Sequence, residues 1–175
     1  MMINWDRFNW PEIFGTIVAL KDLKGAQYNF MKADIQERSA EKWSDGQLTY
    51  VGDTAIGKDY DGVDGLRYES KCVADLIPKK LSTPHTKDII LKNYYGYMNG
   101  IPEQTFDYML AYDTTKNVVL LAPWNVCMKI AKVKDALITT KLLVGQCDVI
   151  AQNVEPSKKT VNIEEEYNKL VEKLI

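Results

Sequence analysis

A chain of 175 residues, 46% of them hydrophobic and 26% charged, is long enough to bury one sizeable core, so folding requires no disulfide or metal staple. Its three widely spaced cysteines, Cys72, Cys127 and Cys147, are odd in number and read as reduced thiols. The first ten residues lack the basic start and apolar core of a signal peptide, and no apolar run is long enough to cross a bilayer, so a cytoplasmic protein is expected. The single histidine, His85, excludes mechanisms that need two or three imidazoles in one subunit. A formal net charge of −2 argues against a nonspecific nucleic-acid coat.

The charge is unevenly distributed. Residues 1–70 carry 8 basic and 12 acidic groups, residues 71–160 carry 12 and 8, and residues 161–175 carry 2 and 4. A basic middle preceded by an acidic third is compatible with a polyanion-binding face beside a carboxylate cluster, and equally with ordinary variation.

In chain order, Trp10-Pro11 opens a helix whose stripe is Ile13, Ile17, Val18, Leu20 and Leu23, with Gly25 as its interruption. A second helix is expected over Tyr28 to Trp43, with Phe30, Met31 and Ile35 inward and Glu37, Arg38, Glu41 and Lys42 outward. Ser44-Asp45-Gly46 marks a turn. Short strands follow at Leu48 to Val51 and Thr54 to Ile56, then a hairpin loop over 57–65, then a strand from Leu66 to Ala74. A helix is expected over 86–98, strands at Phe106 to Tyr112 and Val118 to Leu121 around a turn at 113–117, and a helix from Trp124 to Ile138. A terminal helix carries Ile163, Tyr167, Leu170, Val171 and Leu174 on its apolar side, with Glu164, Glu165 and Glu166 at its N-terminal end. The economical architecture is one α/β domain, a central mixed sheet flanked by helices. Within it the expected divisions are 1–46, 48–125 and 126–175; the resemblance set out below would make them a helical dimerisation region, a catalytic core and a C-terminal DNA-contact and helical region.

The chemistry lies in Gly57-Lys58-Asp59 and Tyr68-Glu69-Ser70-Lys71. On a strand Glu69 and Lys71 share a face and Ser70 points to the other. If the hairpin brings Asp59 alongside, two carboxylates and an ammonium converge. Carboxylates, a backbone carbonyl and waters are hard oxygen ligands suited to Mg²⁺, and the lysine can orient or help deprotonate an attacking water. Phosphodiester hydrolysis fits this set and needs no histidine. The alternative is an acidic surface hairpin, with Asp59, Asp61 and Asp64 as its polar tip. An EF-hand loop does not fit, because Asp64 stands where that loop's glycine belongs and Ser70 where its last ligand belongs.

This segment resembles the PD-(D/E)xK nucleases, and within them the type II restriction endonucleases of the EcoRV-like branch. The shared features are Gly57, Asp59, the ten-residue step to Glu69, and Tyr68-Glu69-Ser70-Lys71. In the same register, Leu81-Ser82-Thr83-Pro84-His85 resembles an aromatic-Ser-Thr-His-His segment of that family, with Pro84 and Thr86 where the relative has histidines. Lys58 replaces the motif's proline.

The resemblance implies a restriction-endonuclease-like core and a sequence-specific, Mg²⁺-dependent endodeoxyribonuclease that leaves 5′-phosphate and 3′-hydroxyl ends. Asp59 and Glu69 would bind the metal, with the Ser70 carbonyl as a further ligand and Lys71 assisting the water. Asp61 remains an alternative if the hairpin register differs, while Asp64 suits the turn. Ser82 and His85 would read base edges, and Lys79, Lys80, Lys87 and Lys92 would contact phosphates. Double-strand cutting implies a two-fold homodimer on DNA, for which residues 10–31 offer an interface or simply core packing. A companion DNA methyltransferase, without a stable complex, would accompany such an enzyme. The alternatives are a nicking or repair endonuclease of the same core, or a noncatalytic DNA-binding or protein-interaction module.

Overall fold

The structure, a computed structural model, describes residues 2–23, 29–52, 57–72, 104–133 and 145–172. They form a six-stranded mixed sheet and four α-helices. The helices are α1 (Trp10–Lys21), α2 (Asn29–Lys42), α3 (Trp124–Val133) and α4 (Ile163–Glu172). The strands are β1 (Leu48–Tyr50), β2 (Tyr60–Gly62), β3 (Arg67–Cys72), β4 (Tyr108–Asp113), β5 (Val118–Pro123) and β6 (Asp148–Ala151). They lie side by side in sequence order. β1 to β3 make one antiparallel meander and β4 to β6 another, and the parallel β3–β4 pair joins the two.

Asn9 caps α1, its side-chain oxygen accepting from the Glu12 N–H, and Pro11 sits in the first turn where its missing N–H costs nothing. The α1 stripe enters the chain's own core: Ile13, Phe14 and Ile17 are buried in one cluster with Tyr68, Leu110, Tyr112 and Val119 of the sheet, Leu20 is buried too, and Val18 lies exposed. Trp10 stacks on Phe8 and meets Tyr112 edge-on, and Trp124 meets Phe106 edge-on, so both tryptophans are packing residues. Met109, Ala111, Leu120 and Ala122 alternate onto the opposite face, where α3 packs.

Of the outward face expected for α2, Lys42 is exposed, but Glu37, Arg38 and Glu41 are only partly so. Arg38 pairs with buried Asp34 and lies over the Tyr50 ring, Glu41 accepts from the Tyr50 N–H at 2.6 Å, and the Tyr60 hydroxyl donates to the Glu37 carbonyl at 2.7 Å. These charges dock α2 on β1 and β2 because the sheet edge presents tyrosines and free backbone donors to them. The loop expected over 57–65 also contains a strand: Tyr60–Gly62 pairs on both sides, and the turn contracts to residues 63–66. Gly65 takes φ +81° there, a left-handed conformation that glycine adopts without penalty.

Candidate active site

β3 is central in the sheet, so its polar residues lie among apolar neighbours instead of at a rim. The Tyr60↔Tyr68 pair sets the hairpin register, and Asp59, just before β2, donates its N–H to the carbonyl of Tyr68, the residue before Glu69, at 2.8 Å. Gly57 precedes it at φ +76°, with Thr105 so close that a Cβ would stand 2.6 Å from it. Only a residue without a side chain fits that approach, which brings Asp59 onto the strand.

Asp59 and Glu69 are 8% and 6% exposed. The Asp59 Oδ2 accepts from both the Ser70 N–H at 2.8 Å and the Ser70 hydroxyl at 2.9 Å. Lys71 Nζ lies 2.7 Å from Glu69 Oε1, so the two share a face as the alternation predicts. The structure therefore brings together Asp59, Glu69, Ser70 and Lys71. Ser70 fixes the orientation of Asp59 through two donors.

The electrostatics of this cluster are dominated by burial. Desolvation raises the Asp59 carboxyl above its ordinary range against the attraction of Lys71 and the two Ser70 hydrogen bonds. It pushes Glu69 up to about 7, with Lys71 opposing the rise and Asp59 adding to it. A third carboxylate, Glu37 on α2, belongs to the same field: burial first, then the charges of Asp59 and Glu69, push it up to about 8, while Lys71 and the Tyr50 hydrogen bond oppose. The sequence gives Glu37 no mark that separates it from Glu41 or Arg38. Its membership follows from the Tyr60 bond to its own carbonyl, which turns that part of α2 toward the hairpin.

The other carboxylates of the hairpin are engaged elsewhere. Asp61 is half exposed and pairs with Lys58 at 2.5 Å, and Asp64 accepts from the Tyr68 hydroxyl at 2.6 Å and the Leu66 N–H at 3.1 Å. The register thus selects Asp59, not Asp61, as the partner of Glu69. Ser82, His85, Lys79 and Lys80, with Lys87 and Lys92, lie outside the described residues.

Among the described residues no group of three or more His, Cys, Asp or Glu side chains is arranged to enclose a metal ion. The donor set still suits Mg²⁺, which keeps most of its water and commonly takes only one or two protein carboxylates together with substrate phosphate. No helix among the described residues is long and apolar enough to cross a membrane.

Ser70→Ala tests the clamp on Asp59. Removing the hydroxyl deletes one of two bonds to a buried carboxylate, so a loss of about 1 kcal/mol in urea-denaturation stability at pH 7 is expected, with the backbone bond retained. An unchanged midpoint would show that the hydroxyl carries none of the clamp.

No protein-family model matches the chain, and no curated protein or solved structure matches it significantly.

Proposed function

We propose that this chain is a Mg²⁺-dependent endonuclease of the type II restriction kind, hydrolysing phosphodiester bonds of duplex DNA to 5′-phosphate and 3′-hydroxyl ends. The observation that carries the reading is the burial of Asp59 and Glu69 beside Lys71 on a central strand. Carboxylates of a surface hairpin would stand in water. Burying them raises the free energy of their charged forms, a cost characteristic of sites built to receive a cation.

Asp59 and Glu69, with the Ser70 carbonyl, would hold Mg²⁺, which when bound supplies charge neutralisation at the phosphodiester oxygens. Ser70 holds Asp59 in one orientation through its N–H and hydroxyl. Lys71, anchored by Glu69, presents N–H donors that position an attacking water and stabilise charge growing on the phosphoryl oxygens. Each chain has one such cluster, so cutting both strands calls for two copies related by a two-fold axis on the DNA. A companion methyltransferase protecting host sites belongs to the same proposal.

Incubation of the purified chain with plasmid DNA and Mg²⁺, followed by sequencing of the ends, tests the reading. Discrete double-strand fragments that disappear with a chelator are expected. Single-strand breaks would favour a nicking enzyme of the same core, and intact DNA at every Mg²⁺ and Mn²⁺ concentration would overturn the nuclease reading.

A further inference from the structure

The three cysteines are free thiols on two sides of the sheet. Cys72 ends β3 and is buried in the cluster around α1, with Tyr112 and Phe14. Cys127, wholly buried, lies on α3 with its Sγ 3.8 Å from the Ala122 carbonyl of β5. On the neighbouring edge strand Leu121 pairs with Asp148, the first residue of β6; Ala122 follows Leu121 on β5 and Cys147 immediately precedes Asp148, so the register carries Cys147 toward Ala122. Directly opposed antiparallel residues have Cα atoms about 4.5 to 5.5 Å apart and side chains on one face. Cys127 and Cys147 therefore flank the same alanine. The electrostatics at Cys127 agree: burial raises its thiol most, and Cys147 adds to the rise.

We propose that Cys127 and Cys147 form a reversible disulfide, through exchange with a low-molecular-weight disulfide such as glutathione disulfide, that ties α3 to the β6 edge of the sheet. Cys147, partly exposed, is the entry thiol, and Cys127 is the resolving thiol. The Cys147 thiolate attacks one sulfur of glutathione disulfide, forming a mixed disulfide and releasing one glutathione thiolate. The Cys127 thiolate then attacks the Cys147 sulfur, forming the internal bond and releasing the second glutathione. Two protein thiols are oxidised, one glutathione disulfide is reduced to two glutathione thiols, and the two protons lost by the cysteines are taken up by the departing glutathione thiolates. Burial holds both thiols above the ordinary range, so exchange is slow at neutral pH and quickens on the alkaline side.

The bond would act at one edge of the sheet. β6 has four residues and pairs with β5 through an irregular register. Closing the chain between α3 and β6 restricts the unfolded ensemble and holds that strand in place. Cys72 is screened by the sheet and takes no part.

The test uses the full reduced chain at pH 8.5 with excess glutathione disulfide, then acid quenching, alkylation in denaturant and peptide mass spectrometry. Joined Cys127 and Cys147 peptides with Cys72 alkylated are expected, together with a rise of about 5 to 10 °C in melting midpoint that dithiothreitol reverses. Cys147→Ser, a change at a partly exposed position, should fold and lose the rise. Full alkylation of all three thiols, a persistent glutathione adduct on Cys147, or a bond involving Cys72 would each overturn the proposal. None of these readouts depends on DNA cleavage.

Discussion

Glu69→Ala is expected to lower Mg²⁺-dependent DNA cleavage by about 10³-fold or more while leaving the folded protein at least as stable as the parent at pH 8. The loss follows from removing one of two carboxylates that would hold the metal and the anchor of Lys71, groups whose electrostatic work each amounts to about 10² to 10³ in rate. The stability expectation has the opposite sign from most core changes. Burial already holds the Glu69 carboxyl at about 7, so above that pH the fold carries a buried negative charge, and alanine relieves it. Lys71→Ala should match the loss of cleavage but reverse the effect on stability, because it removes the cation that opposes the rise at Asp59, Glu69 and Glu37. Breaking a largely buried pair from this side costs about 3 kcal/mol. Plasmid cleavage and urea denaturation on the same two variants separate the roles. Cleavage within tenfold of the parent for Glu69→Ala would remove it from the site, and equal destabilisation by both variants would make the pair structural.

Much of the strand that carries the candidate site was legible because its signals are local. Tyr68-Glu69-Ser70-Lys71 alternates, and β3 runs over Arg67–Cys72, inside the expected Leu66 to Ala74. The turn at 113–117 followed from Asp113, whose Oδ1 accepts from the Thr115 N–H and hydroxyl and the Lys116 N–H. β2 was hidden because Tyr60-Asp61-Gly62 has the composition of a turn. Its strand character comes from having a partner on each side, information held in Leu48–Tyr50 and Tyr68. β6 was hidden for a related reason: Asp148 and Val149 both remain exposed on an edge strand, so no inward and outward alternation marks it. The misreading of α2 concerns charge. Glu37, Arg38 and Glu41 look like a solvated face, yet tyrosines at positions 50 and 60 draw that face onto the sheet, and only the tertiary pairing shows which acid joins Asp59.

The metal-free protein should lose stability as pH rises from about 5.5 to 8.5, and Mg²⁺ should restore more of it the higher the pH. Glu69 and Glu37 ordinarily titrate near 4.5 but are pushed up to about 7 and about 8 in the fold. Between the two limits the folded chain retains protons that the unfolded chain has released, so the unfolded state gains relative stability as protons become scarce. The contribution is therefore complete below about 4.5 and lost as pH passes through about 7 for Glu69 and about 8 for Glu37. Asp59 is raised for the same reason and adds to the trend, whereas Asp107, held below its ordinary range by Arg67, acts only on the acid side. For a nearly fully buried group such as Glu69 the change is of the order of a few kcal/mol. Mg²⁺ favours the charged carboxylates, so its stabilising shift should be small at pH 5.5 and largest at pH 8.5. Glu69→Gln should flatten the slope up to about pH 7, and Glu37→Gln should remove the part that persists toward pH 8. Thermal midpoints in chelator and in excess Mg²⁺ across this range provide the measurement. A metal-free midpoint that is level or rises with pH would refute the burial of these charges, and a Mg²⁺ shift independent of pH would detach the metal from Glu69.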